Sequence, residues 1–132
     1  MTSKLTNKPK ILIVDDDVIT LTVIKRFLRT TGQFDIEIVE DASSGLALIE
    51  SGRHFQVAIS DMALVGANGI DFLRRVKELS PSTSCVIISG FLSNGAEKEI
   101  LNHDFIFGVL TKPCTGQQLS DIITSALRQN GN

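Results

Sequence analysis

The sequence predicts an α/β domain built on a single five-stranded parallel sheet, strand order 2-1-3-4-5, with helices on both faces. Three observations carry that expectation. Short apolar runs alternate five times with stretches of helical periodicity, the pattern of a parallel sheet whose crossovers are helices. Four of the five runs are almost continuously apolar and β-branched, as suits strands covered on both faces. The prolines, Pro9, Pro81 and Pro113, fall outside every run and helical stretch, where a missing N–H breaks no ladder or helix. Five strands suit the order 2-1-3-4-5, in which the first and third strands are neighbours at a switch point, and ligands bind there beyond the carboxyl ends.

The first strand is Lys10–Val14 (KILIV). Residues 18–31 place Leu21, Ile24, Phe27 and Leu28 on one helical face, and Asp17 is the expected N-cap. The run Phe34–Glu40 alternates Phe34, Ile36 and Ile38 with Asp35, Glu37 and Glu40, interrupted by Val39. It reads as a half-exposed edge strand. Residues 43–51 carry Leu46 and Ile49 toward a core, and the third strand, Phe55–Ser60, leads to Asp61. Residues 69–79 carry Ile70, Leu73 and Val76, and Ser84–Ser89 is the fourth strand. The helical stretch 93–102 is short, with Ala96, Ile100 and Leu101 as its apolar side. It is the weakest helix and the one most prone to move. Ile106–Leu110 is the fifth strand, covered on both faces like the first, third and fourth. Residues 115–129 repeat Leu119, Ile122, Ile123, Ala126 and Leu127 at helical spacing.

At 132 residues the chain is one domain, large enough to bury a core without staples. A net charge of −2 with no basic patch argues against direct nucleic-acid binding. No apolar stretch approaches the ~20 residues of a membrane span. The polar start MTSKLTNKP lacks the apolar segment of a signal peptide. Cys85 begins a strand and Cys114 follows the end of another. The strand Cys85–Ser89 spans ~13 Å, beyond the ~7 Å at which two Cα atoms can be bridged. Two free thiols and a cytoplasmic location are expected. His54 and His103 read as solvated.

The carboxyl ends carry the chemistry. The first strand runs into Asp15-Asp16-Asp17, the third into Asp61, the fourth ends at Ser89, and Lys112-Pro113 follows the fifth. Singly, each has an ordinary reading: a solvated loop aspartate, a helix cap, a surface lysine, a Ser-Gly turn. Together they converge on one edge. Carboxylates ~5 Å apart repel by roughly 3 kcal/mol per pair at an effective dielectric of ~20, and a divalent cation removes that repulsion. Oxygen donors without nearby histidine or cysteine favour Mg²⁺, with Mn²⁺ as the alternative, over zinc. Asp61 could then attack phosphorus as a nucleophilic carboxylate, with Ser89 and Lys112 holding phosphoryl oxygens.

These residues resemble the response-regulator receiver family of two-component signal transduction, whose fold is flavodoxin-like. The likeness runs from Lys10 to about Arg128 and rests on four segments: Ile11-Leu12-Ile13-Val14-Asp15-Asp16-Asp17, Val57-Ala58-Ile59-Ser60-Asp61 with Gly69 eight residues on, Ile87-Ile88-Ser89-Gly90, and Leu110-Thr111-Lys112-Pro113. The polar residues 1–9 read as a disordered tail, and the resemblance implies a receiver domain over 10–129, which leaves a C-terminal tail over 130–132. It implies that Asp61 is the phosphoacceptor and Asp16 the principal metal ligand. Asp15 would assist, mostly through water, and the Ala63 backbone carbonyl would complete the protein ligands. Ser89 would follow the phosphoryl group inward, Lys112 would pair with it, and Lys112-Pro113 would be cis. The implied donor is a sensor histidine kinase or phosphotransfer protein. The implied output is a downstream partner or fused effector, reached through helix 4, strand 5 and helix 5, a face that also suits a homodimer. The chain would catalyse only its own phosphoryl transfer and slow autodephosphorylation, as a stand-alone receiver or as part of a longer regulator.

Some positions depart from the family pattern. Val65 stands where proline is common, four residues after the acceptor. Val109 stands where an aromatic often reports the switch, so no ring can swing in behind Ser89 from that position; Phe91 and Phe107 read as core residues. Ala63 and Phe91 cannot hydrogen-bond an attacking water, which implies slow self-hydrolysis. Two other readings stay open. Asp15-Asp16-Asp17-Val18 approaches the DxDx[TV] signature of haloacid-dehalogenase-type phosphatases with Asp15 as nucleophile, although Ile19 fills the Thr/Val position. A receiver-like interaction module that never accepts phosphate is the other. A flavin carrier of the same topology is disfavoured, because three aspartates after the first strand would repel its phosphate.

Overall fold

Alternating side-chain directions along a strand let one run of apolar residues serve two cores. The computed structural model, which describes residues 8–90 and 95–131, bears this out. Its elements are β1 (Lys10–Val14), α1 (Val18–Thr31), β2 (Asp35–Val39), α2 (Ala42–Glu50), β3 (Val57–Asp61), β4 (Ala63–Leu64), β5 (Ala67–Asn68), α3 (Gly69–Leu79), β6 (Ser84–Ser89), α4 (Ala96–Leu101), β7 (Ile106–Thr111) and α5 (Gly116–Gly131). Five strands form one parallel sheet, ordered β2-β1-β3-β6-β7. This is the expected order, with β6 and β7 as its fourth and fifth strands. Ile11 and Ile13 of β1 pack with Leu21, Ile24 and Leu28 of α1 and Leu119 and Ile123 of α5. Leu12 and Val14 face the other way, with Phe72, Leu73 and Val76 of α3 and Ile100 of α4. Among the described residues no helix is long and apolar enough to cross a membrane.

Local chemistry sets the helix ends. Asp17 caps α1, its carboxylate accepting from the Thr20 N–H at 3.2 Å and the Thr20 hydroxyl at 2.6 Å. Asp41 caps α2 and Asn68 caps α3 through their side-chain oxygens. Gly32, at φ 68°, closes α1, a conformation that glycine enters without strain. Gly69 is needed for another reason: a Cβ there would lie 2.2 Å from the Asp61 carbonyl oxygen. Gly69→Ala is therefore expected to cost about 2 kcal/mol, within the range for overpacking. It should appear as a lower urea midpoint at unchanged slope; an unchanged midpoint would show that the backbone can give way.

The structure corrects several expectations. Only Ile106 of β7 is buried, and Phe107 through Leu110 are half-buried, so this strand is not covered on both faces. It is the far edge of the sheet, and the six-residue α4 brings only Ile100 down onto it. Leu101 is 42% exposed, since it lies one helical step of about 100° from Ile100. His103 is half-buried, with its ring tilted against Phe105 at 5.6 Å. Exposed His54 contacts the Ser82 hydroxyl at 2.9 Å. The ribbon of β4 and β5, turning at Gly66 (φ 72°), was not anticipated. The thiols of Cys85 and Cys114 are free, as expected. Residues 1–7 of the expected tail, residue 132 and the position of Phe91 lie outside the described residues. The Pro9 carbonyl accepts the Asp35 N–H at 2.8 Å, and α5 reaches Gly131.

Candidate functional site

Parallel register brings the strand ends level. Val14 pairs with both Val39 and Ser60, Asp61 with Ile88, and Ser89 with Thr111. Asp15, Asp61, Ser89 and Lys112 therefore meet at the carboxyl edge. The Asp61 backbone is tied down around its side chain. The Ser60 hydroxyl donates to the Asp61 carbonyl at 2.8 Å, and the Met62 N–H to the Ile88 carbonyl at 2.8 Å. The Gly69 N–H in turn donates to the Met62 carbonyl at 2.7 Å. Across the sheet the Lys112 N–H donates to the Ser89 carbonyl at 2.7 Å, and the Lys112-Pro113 bond is cis, as expected.

Carboxylates dominate the electrostatics. The Asp15 side chain is 4% exposed; its Oδ1 accepts the Asp17 N–H at 2.9 Å and its Oδ2 meets Lys112 Nζ at 2.8 Å. The same ammonium lies 3.2 Å from Asp61 Oδ2. Burial, then the charge of Asp15, pushes the Asp61 carboxyl above its ordinary value, against the pull of Lys112 and the Ala63 N–H. Burial alone would lower the lysine; the hydrogen bond and charge of Asp15, then those of Asp61, outweigh it and raise its pKa. Lys112 is accordingly held as a cation. Exposed Asp16 completes a group whose carboxylate oxygens lie within 4.8 Å of one another. One ammonium among three carboxylates leaves two negative charges uncompensated. That balance suits a divalent cation, and the donors are oxygens only.

Asp61, Ala63, Ser89 and Lys112 also line one open cleft of about 370 Å³, with Met62 and Gly90. All six expected site residues thus lie at this edge. Asp15 differs from expectation in being locked to Lys112. That bond also weakens the phosphatase reading, because a nucleophile with both oxygens engaged and almost no exposure cannot easily meet a substrate. Sequence reasoning missed Met62 and the β4–β5 ribbon that frames the cleft. The Gly66 turn was the available signal, a weak one without a preceding Asn or Asp. Beside the cleft a groove of about 520 Å³ runs between α1 and Pro113-Cys114. Its α1 rim is unusually apolar for a surface, with Ile19 78% and Val23 65% exposed.

Known proteins share this fold. The family model for the response regulator receiver domain matches residues 11–124. The hydrogenase transcriptional regulatory protein HoxA of Bradyrhizobium diazoefficiens is 31% identical over 118 residues, 89% of this chain and 24% of that protein. The autoinducer 1 sensor kinase/phosphatase LuxN of Vibrio harveyi is 30% identical over 124 residues, 92% of this chain and 14% of that one. The chain thus spans a quarter or less of these curated relatives. A CheY-like response regulator receiver domain protein from Methanospirillum hungatei superposes with a TM-score of 0.85 at 27% identity, covering 95% of this chain and 98% of its own. One from Clostridium thermocellum gives 0.83 at 27% identity, covering 93% and 97%. With the parallel sheet, the acidic edge and a family match over most of its length, the chain belongs to the response regulator receiver domain family, the signalling switches of two-component systems.

Proposed function

We propose that residues 10–129 form a phosphoacceptor unit that takes a phosphoryl group onto Asp61 and relays its arrival to a partner. The reading rests on one observation: Asp15, Asp16 and Asp61 share a cleft edge with a charged lysine. Asp16 and Asp61, with Asp15 mostly through water and the Ala63 carbonyl, would hold Mg²⁺ or Mn²⁺. Such an ion supplies neutralising charge and a coordination position for a phosphoryl oxygen.

In the transfer an Asp61 oxygen forms a bond to phosphorus as the bond to the donor breaks, and that electron pair leaves on the donor. For a sensor histidine kinase or phosphotransfer protein the leaving atom is an imidazole nitrogen. Lys112 and the Ser89 hydroxyl take phosphoryl oxygens, preorganised where charge develops. The exposed Ile19 and Val23 beside the cleft give a protein donor an apolar seat. Output runs through the face of α4, β7 and α5, where half-buried Phe107 and Val109 suit contact with an effector protein, a fused domain or a second copy. The setting is the cytoplasm.

Intact-mass measurement after incubation with acetyl phosphate tests the reading. An adduct that forms with magnesium and fails to form with chelator supports it; an unchanged mass with magnesium present overturns it. The adduct should also be long-lived, because exposed Ala63 offers no hydrogen bond to an attacking water. Ala63→Asn is expected to shorten its lifetime by roughly tenfold, modest for a positioned hydrogen-bonding group. Adduct decay measured over time checks this, and equal lifetimes count against it.

A further inference from the structure

The turn that carries Asp61 is held from behind the sheet as well as from the cleft. Side chains alternate along β3: Ile59 faces the core shared with α1 and α5, and Ala58 the core shared with α3. Asp61 therefore points with Ile59 toward the acidic edge, and Ser60 points with Ala58 to the opposite face. Ser60 is fully buried and does not line the acceptor cleft. A buried hydroxyl is costly unless it is hydrogen-bonded, and this one donates to the Asp61 carbonyl at 2.8 Å. An alanine, as at position 58, would bring no such requirement. What the serine adds is the bond itself.

Two successive peptide units follow the Asp61 Cα, and each is planar and pinned at both polar ends. In the first, the Asp61 carbonyl accepts the Ser60 hydroxyl, and the Met62 N–H donates to the Ile88 carbonyl at 2.8 Å. In the second, the Met62 carbonyl accepts the Gly69 N–H at 2.7 Å, and the Ala63 N–H donates to the Asp61 carboxylate. Three of these four restraints come from backbone groups or from the Asp61 side chain. Only the bond from Ser60 depends on another side chain. Rotation of the first plane would pass down the chain to the Ala63 carbonyl, which leaves the turn where Ala63 pairs with Asn68.

We propose that Ser60 is a positioning residue for the acceptor: its hydroxyl fixes the plane of the Asp61–Met62 peptide so that the Asp61 carboxylate and the Ala63 carbonyl face the same cation. The inference rests on Asp61 being the acceptor and on its holding magnesium with Ala63. Ser60 touches neither the cation nor the phosphoryl group. It acts through the direction of the backbone, as outer partners of metal ligands do.

Magnesium titration calorimetry on the full chain tests this, beside urea unfolding in chelator and intact mass after acetyl phosphate. Ser60→Ala should weaken magnesium binding by about tenfold, the lower end for loss of a group that orients a ligand. Transfer at saturating magnesium should recover most of the wild-type rate, since Lys112 and Ser89 are untouched. Ser60→Thr keeps the hydroxyl and should bind magnesium as the wild type does. If its extra methyl prevents folding, Ser60→Cys, of similar size but a weaker donor, should fall between serine and alanine. Val57→Ala, fully buried at the other end of β3, should lose stability without losing magnesium affinity. Wild-type affinity in Ser60→Ala, an equal loss in Val57→Ala, or a folded threonine variant as weak as alanine overturns the proposal and leaves the acceptor role intact, provided that the wild type forms its adduct. A wild type that gains no mass with magnesium removes both readings.

Discussion

Asp61→Asn is expected to abolish phosphoryl uptake and, without metal, to raise the thermal midpoint at neutral pH. The first effect follows from chemistry: the amide keeps the shape of the side chain but offers no anionic oxygen to phosphorus. The second follows from the folded environment, where burial and Asp15 lift the Asp61 carboxyl above 3.8. The folded chain therefore keeps its proton to higher pH than the unfolded chain. As pH rises from about 3.8 through the folded value, the unfolded state binds fewer protons, so this residue's contribution to stability falls with pH. The loss grows as pH rises through the folded value and is absent well below 3.8. Removing the carboxylate relieves it, so thermal scans in chelator should show the variant ahead at pH 7 and level in acid. Magnesium should narrow or reverse the gap, since it binds only the folded site of the wild type. Uptake by the asparagine variant equal to wild type, or label recovered at Asp15, would sink the acceptor assignment.

Lys112→Ala should separate metal binding from transfer. Its ammonium lies 2.8 Å from Asp15 and 3.2 Å from Asp61, close to where a cation would sit. At an effective dielectric of ~20 two such charges repel by several kcal/mol, so magnesium affinity is expected to rise by about tenfold or more. Transfer should nonetheless slow by about 10²- to 10³-fold, as when one preorganised donor to a developing charge is removed. In chelator the variant should lose about 3 kcal/mol, the lower end for breaking a buried pair, because the Asp15 side chain is 4% exposed and loses its only ion-pair partner among the described residues, while Lys112 is 21% exposed. Magnesium should restore much of that loss. Urea unfolding with and without magnesium, titration calorimetry and rates with acetyl phosphate measure the three effects. Weaker magnesium binding, or transfer at the wild-type rate, contradicts the role given to the lysine.

What could be read in the chain follows from where its information is local. β1, β3 and β6 announce themselves because central parallel strands are apolar on both faces. The polar residues that interrupt those runs, Asp15, Asp61 and Ser89, mark the carboxyl edge without any knowledge of packing. β7 looks the same in sequence and is not, since its exposure depends on how far α4 reaches across it. The β4–β5 ribbon is two residues on each side, too short to carry a period, and only Gly66 hinted at a turn. Nor could composition show that Lys112 grips Asp15 more closely than Asp61, a choice made by the path of the chain after β7. The convergence of carboxylates and lysine was legible; their internal pairing was a tertiary fact.

The two thiols differ in a way that bears on how this chain can be watched. Burial pushes the Cys85 thiol up to about 11, so it stays protonated and unreactive at neutral pH, within β6 and away from solvent. Cys114 is only half-buried and lies on the wall of the groove beside Lys112. Burial raises that thiol too, against the pull of Lys112, so an alkylating fluorophore at mildly alkaline pH should attach there in preference to buried Cys85, two residues from the lysine, without any cysteine being engineered in or out. The native chain carries its own attachment point for an optical reporter at the rim of the acceptor cleft.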